Sequence, residues 1–97
     1  MTDSDRQKIE DIWKVHQSDN WPNSLGGDEG QLMTLDTVIG GCLSYFLDEY
    51  QLDEARVEIL RDCLAELDPL FTDLPEEASE YFRRLRYLGV TVLQEYS

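Results

Sequence analysis

Apolar residues recur at helical spacing in four stretches of the chain, and no stretch alternates with the period of two that a half-buried strand requires. In the first stretch Ile9, Ile12, Trp13 and His16 fall at i, i+3, i+4 and i+7, which makes one apolar stripe. That spacing predicts a helix over 5–17, capped by Asp3 or Ser4. The pattern then stops. Residues 18–33, SDNWPNSLGGDEGQLM, hold three glycines, a proline and several turn formers, and predict a mobile or lid-like loop longer than most connections. Trp21, just ahead of Pro22, is its largest side chain.

Leu35, Val38, Ile39, Cys42, Leu43, Phe46 and Tyr50 resume the helical spacing, with Thr34 or Asp36 placed to cap the element. Tyr45 and Leu47 widen the stripe until little polar face is left, as in a helix at the centre of a fold. Gly40 and Gly41 interrupt it, each at a cost of about 1 kcal/mol relative to Ala. The expected compensation is a close crossing by another helix, with Gly89 opposite; the alternative is a break into two short helices. A third helix is predicted from Glu54 to Asp68, capped by Asp53, with Val57, Leu60, Leu64 and Leu67 facing inward and Pro69 ending it. Asp73-Leu74-Pro75-Glu76 has the form of a capping box with Pro75 in the first turn. Beyond it Ala78, Phe82, Leu85, Gly89, Val92 and Tyr96 alternate in steps of four and three, the strongest periodic signal in the chain. The fold class expected is all-α: a single-domain compact bundle of about four helices spanning 1–97, with a long C-terminal helix. Short links between the last three helices favour antiparallel neighbours.

Composition adds size and charge to this picture. Ninety-seven residues, 41% of them apolar, suit one modest core. Twenty-one acidic side chains against eight basic ones leave a net charge of −13. That balance argues against direct binding of nucleic acid, whose phosphates an acidic surface repels, and against anionic membranes. The N-terminus has no apolar segment of the secretory kind, and the longest apolar run, Val38 to Leu47, is about half of what spans a bilayer. A cytoplasmic protein is expected. Cys42 and Cys63 both fall in apolar patterns and belong to no CxxC, so they are expected to be unbridged and largely buried.

Candidate chemistry is sparse. His16 is the one histidine, and its place on the first apolar stripe marks it as structural. General acid–base work by His16 would need a nucleophile and an orienting group that no motif supplies. HExxH and EF-hand patterns are absent, and Gly26-Gly27 lacks the Lys of a P-loop. No enzyme, cofactor or metal is therefore expected. A small enzyme or metal-binding domain using His16 with carboxylates is the most distant alternative.

The distribution of acids says more. Glu54, Glu58, Asp62 and Glu66 repeat every four residues along the third helix. Between Asp48 and Glu80 there are twelve acids and two bases, a field of one sign. It either solubilises the chain or forms a docking face for a basic partner. The basic cluster, Arg83, Arg84 and Arg86, offers Glu80 a partner in Arg83 or Arg84, while Arg86 is free to reach the row of the third helix. Trp21 reads either as a lid over the core or as an interface residue. The function expected is a non-enzymatic acidic interaction module for a protein partner, with Glu54, Glu58, Asp62, Glu66 and Trp21 as candidate contacts. The narrower alternative is an inhibitor or immunity-type protein, or a nucleic-acid mimic, that neutralises a basic partner. A two-fold homodimer is also expected, because the fourth helix carries an apolar face wide enough for both a core and a neighbour.

Overall fold

A computed structural model describes residues 1–23 and 25–96. Among these there is no strand, and four α-helices carry the architecture: α1 Asp3–Ser18, α2 Glu29–Glu49, α3 Glu54–Leu67 and α4 Glu76–Leu93. Short 3-10 turns at Gly26–Asp28, Asp68–Asp73 and Gln94–Tyr96 connect or finish them. The result is the all-α bundle that the periodicity predicts, with α4 packed against each of the other three helices. Since α2 also meets the other three, α2 and α4 form the middle and α1 and α3 the flanks.

The caps locate the helix starts. Thr2, not Asp3 or Ser4, caps α1: its Oγ1 accepts from the Asp5 N–H at 3.1 Å while the Asp5 carboxylate accepts from the Thr2 N–H. Asp53 caps α3 as expected, accepting from the Arg56 N–H at 2.8 Å, and this bond leads the causes that hold its carboxyl below the usual range. At α4 the expected capping box does not form; Pro75 itself is the cap residue, with extended backbone and no side-chain hydrogen bond.

The largest departure is the start of α2. Neither Thr34 nor Asp36 caps it, and the helix begins at Glu29, so the irregular segment is much shorter than 18–33. Thr34 lies inside the helix and donates from Oγ1 to the Gly30 carbonyl. Burial decides the boundary: Leu32 is fully buried and Leu25 nearly so, and the helical turn carrying Leu32 brings it onto the core. Gly26 supports the entry with a positive φ of 71°, a conformation that glycine adopts without strain. At the other end Tyr50 takes φ 59°, and its N–H closes the helix on the Phe46 carbonyl at 2.7 Å. The Arg6 guanidinium sits 4.1 Å from the centroid of the Tyr50 ring.

One core joins the helices. Leu32, Ile39 and Leu43 of α2, Leu60 and Leu67 of α3, and Phe82, Leu85, Leu88 and Val92 of α4 are all fully buried. Each such side chain contributes about 1.5–3 kcal/mol of transfer free energy. The wide apolar face of α4 is thereby consumed inside the bundle, leaving Tyr87 as its exposed large apolar residue, so that face no longer motivates a dimer.

The glycines mark close crossings, though not opposite one another. A Cβ on Gly40 would stand 3.0 Å from the Trp13 ring of α1. A Cβ on Gly89 would stand 3.0 Å from Leu64 of α3. The expected Gly40–Gly89 pairing is replaced by two separate crossings, and α2 runs unbroken through Gly40 and Gly41. Cys42 is buried, Cys63 is half-buried, and both are free thiols. Burial is the main cause that raises both thiol pKa values.

Candidate functional site

Two regions carry charge in an organised way. The first is a polar junction where α1, α2 and α4 meet. His16, in the last turn of α1, is 3% exposed, so its imidazole needs partners inside the protein. Asp36 of α2 supplies one, its Oδ1 lying 3.0 Å from His16 Nε2. Arg84 of α4 supplies the other, its Nε donating to His16 Nδ1 at 3.2 Å. An arginine Nε can only donate, so Nδ1 is the bare nitrogen and Nε2 carries the proton that Asp36 accepts. The geometry thus fixes one tautomer of a neutral imidazole. Tyr81 of α4 donates to the same Asp36 Oδ1 at 3.2 Å. Burial, then the charge of Asp36 and this hydrogen bond, push the Tyr81 phenol far above its usual range and keep it a donor.

Arg84 continues the network outward. Its Nη2 donates to Asp19 Oδ2 at 2.6 Å, and this bond, followed by the Asn20 N–H, holds the Asp19 carboxyl below the usual range. Asp19 begins the segment that carries Trp21. The Trp21 ring stands edge-on to Tyr81 and Phe82, with centroids 5.7 and 5.8 Å away. This is the lid position of the two considered for Trp21. Its Nε1 is buried and has no hydrogen-bond partner. Outside the lid a cleft of about 310 Å³ is lined by residues that include Asp19, Asn23, Glu77, Glu80 and Arg84.

The second region is the outer face of α3. Glu54, Glu58, Asp62 and Glu66 are all exposed, and among the described residues none is in an ion pair. Four cations pair with acids outside the row, Arg6 with Asp3, Lys14 with Glu10, Arg56 with Asp53 and Arg84 with Asp19, and Arg61, three residues after Glu58 on α3, is in no ion pair among the described residues. Arg86 does not reach the row. Its Nε donates to Asp68 at 2.6 Å, one residue past the end of α3. Arg84 pairs with Asp19, and Glu80 has no ion pair with either Arg83 or Arg84. Ile59, 44% exposed, lies between Glu58 and Asp62 as an apolar point in the acidic field.

The structure therefore separates the candidate residues: the four row carboxylates share one flank, and Trp21 belongs to the junction with α4. Sequence reading placed His16 correctly but missed Asp36, Tyr81 and Arg84 as its neighbours. A signal for Asp36 does exist. It is the acid on the face shared by Leu32, Leu35, Ile39 and Leu43, where a carboxylate needs an internal donor. Among the described residues no group of three or more His, Cys, Asp or Glu side chains could hold a metal ion, and no helix is long and apolar enough to cross a membrane. Compared with known protein families, curated proteins and solved structures, the chain matches none.

Proposed function

We propose that this protein is a non-enzymatic acidic interaction module that docks a basic protein surface through the outer face of α3. The observation that carries this reading is the row Glu54, Glu58, Asp62 and Glu66, exposed and in no ion pair among the described residues, while Arg56 and Arg86 beside it pair with Asp53 and Asp68. Like charges at i, i+4 destabilise a helix; Arg61, at i+3 from Glu58, offsets part of this, but among the described residues it forms no ion pair with the row. A lysine- or arginine-rich partner would relieve the repulsion, with Ile59 as an exposed apolar contact beside the row. Inhibition of a basic enzyme or of a DNA-binding protein is the narrower form of the same reading. His16 supports the non-enzymatic assignment, because both of its ring nitrogens are engaged and the ring is buried.

Affinity capture from the source cell with three baits tests the proposal: the wild type, the double variant Glu58→Gln/Asp62→Asn, and the control Glu76→Gln/Glu77→Gln. A basic protein held by the wild type and the control, released by salt and lost from the row variant, is the expected result. Partners retained equally by all three baits would sink it.

A further inference from the structure

We propose that the His16–Arg84 hydrogen bond is a proton-sensitive latch that holds the segment 19–23, and with it the Trp21 lid, closed against α4. The latch exists only with neutral imidazole. Arg84 Nε–H points at His16 Nδ1 from 3.2 Å, and Asp36 Oδ1 occupies Nε2 at 3.0 Å. A second proton on the ring can reside only on Nδ1, where it would turn the acceptor into a donor facing a guanidinium. The hydrogen bond is then lost and two cations face each other, so Arg84 must leave α1.

The groups around the ring set the direction of this change. From α2, Asp36 faces Nε2 and keeps its bond in either protonation state. From α4, Tyr81 lies 4.3 Å away centroid to centroid, neutral and donating to Asp36, and Arg84 faces Nδ1. From the segment after α1, Asp19 faces Arg84. From α1 itself, Trp13 stacks at 5.6 Å. Asp36 attracts the imidazolium while Arg84 opposes it, and Arg84 is the one of the two cations with room to move, its side chain being 24% exposed where His16 is 3% exposed. When Arg84 swings out, the Asp19 bond that ties the segment to the junction goes with it. Trp21 then keeps only its edge contacts with Tyr81 and Phe82, and its buried Nε1 has no hydrogen bond to hold it.

Nuclear magnetic resonance tests the latch directly, because the chain has one histidine and two tryptophans. The His16 ring and the two indole N–H signals are followed from pH 8 to about 5.5. As His16 titrates, the Trp21 indole should lose protection from solvent exchange by on the order of tenfold after correction for intrinsic rates, the scale of one lost charge-assisted hydrogen bond. Trp13, stacked on the His16 ring, senses the protonation itself and lies outside the latched segment. In His16→Asn the Trp21 protection should not change with pH. Arg84→Gln leaves the histidine in place but removes the cation, and there Trp21 should be unprotected already at pH 8. A wild-type Trp21 signal that ignores the His16 titration overturns the proposal. So does an Arg84→Gln variant that keeps Trp21 fully protected, and that variant also serves if His16→Asn does not fold.

Discussion

At the junction of α1, α2 and α4, Asp36 accepts two hydrogen bonds and Arg84 donates two, while along α3 Glu54, Glu58, Asp62 and Glu66 meet no cation. Both regions consist of charged side chains on helices, but one lies between elements and the other faces water. Between elements the dielectric is low and an unanswered polar group is costly, so the His16, Tyr81 and Arg84 donors there have found acceptors, and the Trp21 Nε1–H is the exception. On the outer face water screens each carboxylate, and mutual repulsion is tolerated because it is small. The junction specifies how three helices meet, whereas the α3 face leaves the fold untouched and is free to serve something outside it.

The sharpest way to break this contrast is Asp36→Ala. It strands His16 Nε2–H and the Tyr81 hydroxyl without their acceptor. Two unsatisfied donors should cost roughly 2–4 kcal/mol of stability, read by chemical denaturation. Asp36→Asn keeps an acceptor oxygen and should cost clearly less. Equal losses in the two variants would show that packing, not hydrogen bonding, holds the junction.

Tyr81→Phe is milder, because the ring remains and Asp36 keeps His16. A loss of about 0.5–1.5 kcal/mol is expected at neutral pH. Its alkaline behaviour is more telling. The folded phenol titrates well above the unfolded value of 10.0, so the stability it supplies is complete below pH 10 and is lost as the pH rises above it. Cys42 and Cys63, also raised, begin their loss from about pH 9, so the comparison of interest is between the two proteins. The wild type should lose more stability than Tyr81→Phe between pH 10 and 11.5 in thermal melts. Parallel curves would remove Tyr81 from the account.

How far the sequence carried the fold follows from the same contrast. Stripes such as Val57–Leu60–Leu64–Leu67 are local, and they placed α3 and its Asp53 cap closely. The α3 row was legible for the same reason, since spacing along one helix is all it needs. The junction was not, because His16 meets Asp36, Tyr81 and Arg84 from distant parts of the chain, and nothing in local spacing favours Asp19 over Glu80 as the partner of Arg84. The early start of α2 escaped notice likewise. Gly30 and the acids around it resemble a loop until the burial of Leu32 is known.

Two adjacent glycines bring the contrast down to single residues. Gly41 faces open space in the middle of α2, so Gly41→Ala should raise stability by about 0.5–1 kcal/mol through helix propensity. Gly40→Ala would press on Trp13, which stacks on His16, and the same propensity gain should be offset or reversed there. Melting temperatures of the two variants should move apart; a matched rise in both would mean that the α1–α2 crossing has slack.

The smallest expected effect concerns the row itself. Glu58 and Asp62 each have an acidic neighbour four residues away on both sides and no cation in contact. Neither is in the first turn of α3, where the helix dipole would favour a negative charge. Neutralising either one removes repulsion and breaks no bond, so Glu58→Gln and Asp62→Asn should leave stability unchanged or raise it by up to about 0.5 kcal/mol. Salt gives an independent measure. Added monovalent salt should stabilise the wild type, with most of the gain complete near 0.15 M, where charges are screened beyond about 8 Å. The gain should be smaller in the double variant, because part of the repulsion is already gone. Destabilised variants at every salt concentration would mean that the row pairs with a cation inside the fold, and the proposed docking face on α3 would lose the free carboxylates on which it depends.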